Sequence, residues 1–339
     1  MLRACCLFAL IALTIVIGCA RRSEPPVTLY SALDREFAEP LLDRFSEESG
    51  ARVLAKYDDE STKTVGLTSA LIQEAGRPRC DVFWNNEILN TVRLEEKGLL
   101  QMYQSPAATA YPEMYQSASG AWHGFAARAR VLIANTRLIN AAERPTSIYD
   151  LAAITWKGKV GMARPIAGTT ATHVACLFAV LGDDEAKAFM RRLKANEIRV
   201  LGGNKQVAQA VASGQIAFGL TDTDDAIIEV ERASPVTIVY PDREVHQLGT
   251  LFIPNTVAIM KGCPHAEPAR RLVDFLLSPA SEEMLARGPS AQIPLNPTVQ
   301  PPRGVETPKT VKSMPVDFAA AAKKWDAAVN FLEQEFLKE

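Results

Sequence analysis

Five residues at the end of one short apolar run carry much of the chemistry this sequence offers. Residues 216–220 (IAFGL) have strand character, and Thr221, Asp222, Thr223, Asp224 and Asp225 follow without a break. Three carboxylates and two hydroxyls in one loop suit a hard cation, a ligand amine or guanidinium groups. Residues 226–230 (AIIEV) then read as the first turns of a helix. A strand that ends in a polar loop and feeds a helix is the usual ligand position of an open α/β sheet. The plainer alternative is that Asp224 or Asp225 is an N-cap or first-turn acid, favoured by free N–H groups and the helix dipole.

A second constellation suits an anion. Gly168, Thr169 and Thr170 stand just before an apolar helix at 170–181, so their N–H groups and hydroxyls could cradle an oxyanion. Arg128, Arg130 and Arg164 add guanidinium groups, which grip phosphate or carboxylate in bidentate fashion. Ser61, Thr62 and Lys63 open another helix. Capping by these hydroxyls and solvation of these arginines is the alternative use. Tyr30, Tyr57 and Trp84 sit at strand ends and could wall a cleft, although aromatic side chains more often fill cores. His123, His173, His246 and His265 have no mutual spacing and read as non-ligands. The sequence has no nucleophile elbow, zinc-type cluster or Walker motif, so no enzyme is expected.

The elements that must position these groups alternate along the chain. Residues 27–30 form a strand, and Phe37, Leu41 and Phe45 mark a helix closed by Gly50. Residues 51–57 return as a strand, which makes a βαβ unit with parallel pairing. Strands are expected again at 80–84, 131–135, 160–163, 198–201, 216–220, 236–240 and 250–260, with helices between most of them. Residues 294–309 are proline-rich, and 316–337 reads as one terminal helix.

The N-terminus speaks to compartment. Arg3 precedes an apolar run at 5–18, too short for the roughly 20 residues of a membrane span but suited to a signal-peptide core. Residues 16–19 (VIGC) resemble a lipobox, so cleavage before Cys19 and lipid attachment to its thiol are expected, followed by a tether at 19–26. At 339 residues and 47% hydrophobic, the chain can bury a large core, and two lobes are expected. A net charge of −2 provides no basic field for nucleic acid. Cys80, Cys176 and Cys263 are far apart and show no metal-ligand spacing.

Over nearly all its mature length the chain resembles the periplasmic solute-binding proteins of ABC importers. The branch is the one that includes ferric-iron, thiamine, phosphonate and sugar-phosphate binders. The likeness is carried by residues 27–30 with their loop, 80–87 (CDVFWNNE), 124–135 (GFAARARVLIAN), 214–220 (GQIAFGL) and 275–297 with FLLSP and IPLNP. It implies a two-lobed α/β type II binding-protein fold that closes on ligand by a hinge, with crossovers near 126–130 and 247–253. Lobe 1 would comprise 27–127 plus 251–293 and lobe 2 would comprise 128–250, with 294–339 as a C-terminal surface segment and helix. It also implies an ABC permease and ATPase as partners, membrane attachment through the lipid anchor, and action as a monomer. A solute-binding sensor partner is the alternative of another class.

In the iron binders of this family a first-loop ligand falls at Asp34, a glutamate at Glu87, and two adjacent tyrosines at Asp224 and Asp225. This chain thus lacks the phenolate oxygens that select Fe³⁺. The resemblance leaves an all-oxygen metal set of Asp34, Glu87, Asp222, Asp224 and Asp225, suited to Fe³⁺, Ca²⁺ or Mn²⁺. Close carboxylates repel and must be neutralised. If Arg128 and Arg130 do so, the remaining pocket suits a small anionic solute held at Thr169 and Thr170.

Overall fold

The computed structural model describes residues 25–58 and 64–338. Cys19 with the expected signal and lipid-attachment segment, and Ser61, Thr62 and Lys63, lie outside the described residues. No described helix is long and apolar enough to cross a membrane.

The first described elements alternate as expected: β1 (Val27–Ser31), α1 (Arg35–Ser49), β2 (Val53–Tyr57), α2 (Val65–Gln73), β3 (Val82–Asn85) and α3 (Leu89–Glu96). β1 pairs in parallel with both β2 and β3. Phe37, Leu41 and Phe45 are buried on one side of α1, which ends at Gly50 with a left-handed φ of 74°. After the short β4 (Leu100–Gln101) comes β5 (Trp122–Asn135), in which every residue is buried.

β5 holds the two halves of the sheet together. Through Ala129 it pairs antiparallel with β10 (Phe252–Met260). From Arg130 onward it pairs with β8 (Phe218–Asp222) and β9 (Val236–Val239). It is far longer than the strand expected at 131–135. A strand enclosed on all sides shows no alternation, and the two arginines interrupt its apolar run, so its length leaves little periodic trace. β6 (Val160–Ala163) and β7 (Arg199–Leu201) extend the second half in parallel, giving the order β2-β1-β3-β10-β5-β8-β6-β7.

The remaining helices are α4 (Gly168–Leu181), α5 (Asp183–Ala195), α6 (Asn204–Ala212), α7 (Thr223–Glu231), α8 (Ala266–Leu276), α9 (Pro279–Arg287) and α10 (Phe318–Phe331). The terminal helix is shorter than expected, because α10 gives way to a π turn at Leu332–Phe336 that buries Leu332 and Phe336. α10 reaches across the molecule. Its Phe331 ring packs on Phe178 of α4, and Arg93 of α3 pairs with Asp326 at 2.7 Å while stacking on Trp325.

β1, β6, β7 and β8 each run directly into a helix: α1, α4, α6 and α7 respectively. The amino ends of those helices therefore gather beyond the carboxyl ends of parallel strands, the position where an open α/β sheet takes ligands.

Candidate functional site

At that position lies a polar cleft. Four helix amino ends line it: Asp34 at α1, Gly168 to Thr170 at α4, Gly203 and Asn204 at α6, and Asp222 with Asp224 and Asp225 at α7. First-turn N–H groups have no intrahelical acceptor, so each end offers donors and a positive partial charge. Gly168, with φ of 59°, takes a turn into α4 that a side chain would strain. Asn86 lines the same cleft from the end of β3, and Arg164 from its exposed rim.

The acidic loop is built into this wall by two buried ion pairs. Arg130, fully buried in β5, donates from Nη1 to Asp222 Oδ1 at 2.6 Å. The same guanidinium reaches Thr169 Oγ1 at 3.2 Å and Thr170 Oγ1 at 3.1 Å. Asp222 Oδ2 accepts from Thr169 Oγ1 at 2.5 Å and from Asn204 Nδ2 at 2.9 Å. Two residues along the same strand, Arg128 Nε lies 3.1 Å from Asp224 Oδ2, and its Nη1 donates to the Asn86 carbonyl at 2.7 Å. Burial alone would lower the pKa of Arg128. Asp224, Asp222, Asp34 and Asp225 outweigh it and raise that pKa, so the guanidinium stays charged.

Oxygens of Asp222, Asp224 and Asp225 lie within 4.8 Å of one another, close enough to share a cation. Asp222 also occupies the N-cap position of α7, and Asp224 and Asp225 its first turn. The loop acids thus meet a helix amino end and also line a cleft. Thr169 and Thr170 face Arg130 and Asp222 through their hydroxyls, so the donors α4 could offer an anion at that end are its first-turn main-chain N–H groups.

Several residues expected at the site stand elsewhere. Glu87 is fully buried and does not line the cleft. Its carboxylate accepts from the N–H groups of Leu89 at 2.6 Å and Asn90 at 3.0 Å, capping α3. Asn85 Nδ2 and Thr172 Oγ1 each donate to it at 2.8 Å, so the oxygens are fully engaged. Burial raises its pKa against the pull of these donors. Tyr30 turns its hydroxyl to Glu74 at 3.0 Å, away from the cleft. Trp84 is fully buried and packs on Phe125, with ring centroids 5.5 Å apart. Tyr57 instead stacks beneath Arg35.

Asn204 is the main residue the sequence reading passed over. Its amide contacts Arg130, Thr169, Thr170 and Asp222, joining the amino ends of α4, α6 and α7. The signal was a Gly-Asn pair just before a helical pattern, which reads equally well as ordinary capping.

Comparisons with known proteins place this architecture. The model of the family described as "Bacterial extracellular solute-binding protein" matches residues 41–315. The iron uptake protein A1 of Synechocystis is 27% identical over 321 residues, 85% of this chain and 87% of that one. A putative 2-aminoethylphosphonate-binding periplasmic protein of Salmonella paratyphi A is 25% identical over 263 residues, 76% of this chain and 75% of that one. Iron-bound HitA from Pseudomonas aeruginosa superposes with a TM-score of 0.82 at 22% identity, over 90% of this chain and 99% of that one. AfuA from Actinobacillus pleuropneumoniae with fructose-6-phosphate bound gives 0.81 at 21%, over 92% and 99%. Such structures share the fold, a two-lobed periplasmic binding protein. The chain belongs to the bacterial extracellular solute-binding proteins, a family of transporter components and not of enzymes.

Proposed function

We propose that this protein captures a small anionic solute outside the cytoplasm and delivers it to an ABC permease and its ATPase. The observation that carries this reading is the pair of buried arginine–aspartate contacts. Arg130 neutralises Asp222, and Arg128 neutralises Asp224. Two of the three carboxylates that could share a cation are thereby matched, and the amino ends of α4 and α6 with Arg164 remain to receive an oxyanion. The printed names of relatives supply both precedents, a phosphonate binder and an iron uptake protein.

Capture works by closure of the lobes about β5 and the strand approaching β10. The switch of β5 from β10 to β8 and β9 supports a lobe 1 of 27–127 plus 251–293 and a lobe 2 of 128–250. Contacts join those lobes: Thr172 with Glu87, and Lys205 with Glu36 at 3.4 Å. Lipid attachment at Cys19 would hold the protein at the membrane, a reading supported by the sequence motif alone. Cys19→Ser should release the protein from washed membranes, and a variant that stays membrane-bound overturns the anchor.

The deciding experiment is calorimetric titration of metal-stripped protein with Fe³⁺, Ca²⁺, Mn²⁺, inorganic phosphate, and phosphonate and sugar-phosphate compounds. Tight binding of a phosphorus oxyanion without metal supports the reading. Tight Fe³⁺ binding with no response to anions overturns it. The second reading, a hard-metal carrier, rests on the proximity of Asp222, Asp224 and Asp225.

A further inference from the structure

With the lobes divided as proposed, α10 belongs to neither stretch and grips both. Toward lobe 2 the grip is dense. Phe331 packs on Phe178 with ring centroids 6.0 Å apart, and Lys324 pairs with Asp183 at 2.7 Å. The π turn that follows brings Glu335 to Arg191 at 2.7 Å, and the Arg191 guanidinium also lies 5.4 Å from the centroid of the Phe331 ring. Toward lobe 1 the grip is narrower. Phe318 meets Tyr115 at a ring separation of 6.2 Å. Arg93 of α3 pairs with Asp326 at 2.7 Å and stacks on Trp325 at 5.2 Å.

The lobe 1 anchor stands beside the seam between the lobes. Arg93 Nη1 donates to Asn90 Oδ1 at 2.8 Å, and the Asn90 N–H donates to Glu87, the carboxylate that also accepts from Thr172 of α4. Thr172 follows Thr169 and Thr170 within one turn of α4. The seam is thus bonded by Thr172 and Glu87, and α10 packs on both helices that meet there. The other contact between the lobes, Lys205 with Glu36, joins two exposed side chains and contributes little. A helix bonded to two bodies that rotate against each other keeps both sets of contacts only if it lies on the rotation axis. The crossover strands β5 and β10 carry that axis, so the weaker anchor of α10, at Arg93, is the one that gives way on opening.

We infer that α10 is a strap, carried by lobe 2, whose hold on Arg93 of lobe 1 biases the protein toward its closed arrangement and so sets solute affinity from outside the cleft. Arg93, Trp325 and Asp326 act as positioning residues, since none of them lines the cleft. The inference rests on the two-lobe reading and extends it. Apparent affinity scales with the fraction of molecules in the binding-competent arrangement, so an interaction made on closure strengthens binding without touching solute. The hold must also be weak enough to release. The Asp326 side chain is 80% exposed, which keeps the ion pair small, and the contact of Arg93 with Trp325 adds to it.

The test compares the full chain with two variants. Arg93→Met removes the ion pair and the cation–π contact but keeps an apolar side chain against Trp325, and Asp326→Lys sets two cations side by side at an exposed position. Small-angle scattering without solute, and titration with Fe³⁺ and with inorganic phosphate, supply the readouts. In both variants the solute-free radius of gyration should grow, or the affinity for the probe that binds should weaken by about three- to tenfold. Which of the two moves identifies the prevailing arrangement: a mostly closed protein opens visibly, and a mostly open one loses affinity. A radius and an affinity that both match the wild type overturn the inference, and a lowered melting temperature beside them makes α10 a structural helix alone. Should neither probe bind, the solute-free radius decides by itself. A wild-type radius that ignores a bound probe overturns the hinge reading and the strap together. A wild-type chain that compacts on binding, with variants that match it throughout, overturns the strap alone.

Discussion

Glu87 and the 222–225 loop are alike in sequence and unlike in fate. Each is acidic, each follows a buried strand, and each opens a helix. The Glu87 carboxylate is enclosed by four donors, two from the main chain of α3 and one each from Asn85 and Thr172. The loop carboxylates are met by side chains of β5, α4 and α6, and they still line a cleft. The difference lies in where the counter-charges come from. Glu87 is satisfied by neutral dipoles, three from residues within three positions of it in sequence and one from Thr172 of α4, so no counter-charge is needed. Asp222 and Asp224 depend on arginines about ninety residues away along the chain, and their neighbour Asp225 stays only partly buried.

Arg130→Met should break that comparison most severely. It leaves Asp222 buried without its cation and strands Thr169 and Thr170, a loss of roughly 3–5 kcal/mol in urea unfolding. Arg130→Met with Asp222→Leu should recover part of it, because the uncompensated charge is gone. Recovery of nothing would mean that the guanidinium acts mainly through the threonines.

Glu87→Gln sharpens the contrast from the other side. An amide in place of the carboxylate turns one acceptor into a donor facing donors, a cost of about 1–3 kcal/mol. Because burial raises the pKa of Glu87, the folded protein holds its proton to higher pH than the unfolded chain, whose pKa is near 4.5. Its contribution to stability is therefore greatest below about 4.5 and declines as pH rises through the raised folded value. The variant should lack this part of the pH dependence, measured by urea midpoints across that window. Solute affinity lost in a variant of normal stability would make Glu87 a ligand after all and erase the comparison.

Asp225→Asn should have the smallest effect on stability, within about 0.5 kcal/mol, as for most partly exposed substitutions. A change several times larger would show that all three loop acids are structural.

Much of the fold was legible because each strand–helix unit advertises itself locally. Phe37, Leu41, Phe45 and Gly50 state a helix and its end, and the 160–163 strand falls within the expected bounds. β5 was not, since its burial comes from β10 on one half and from β8 and β9 on the other, and its arginines look like surface residues. The site divided along the same line. Thr169, Thr170, Arg128, Arg130, Arg164 and the loop aspartates were singled out by type and spacing, and Asp34 by the family resemblance, and all meet in or beside the cleft. Asn204 and Asn86 carried no charge to draw notice, and Tyr30, Trp84 and Glu87 could not be told from cleft residues by position alone.

Sequence alone determined the alternation of elements, the acidic loop behind a strand and the helix amino ends able to take an anion. All of these depend on residues within a few positions of one another. Which charges neutralise which was decided only by tertiary structure, because β5 carries Arg128 and Arg130 to Asp224 and Asp222 across a long loop of chain. That long-range pairing settles how much of the acidic cluster is left to face a ligand.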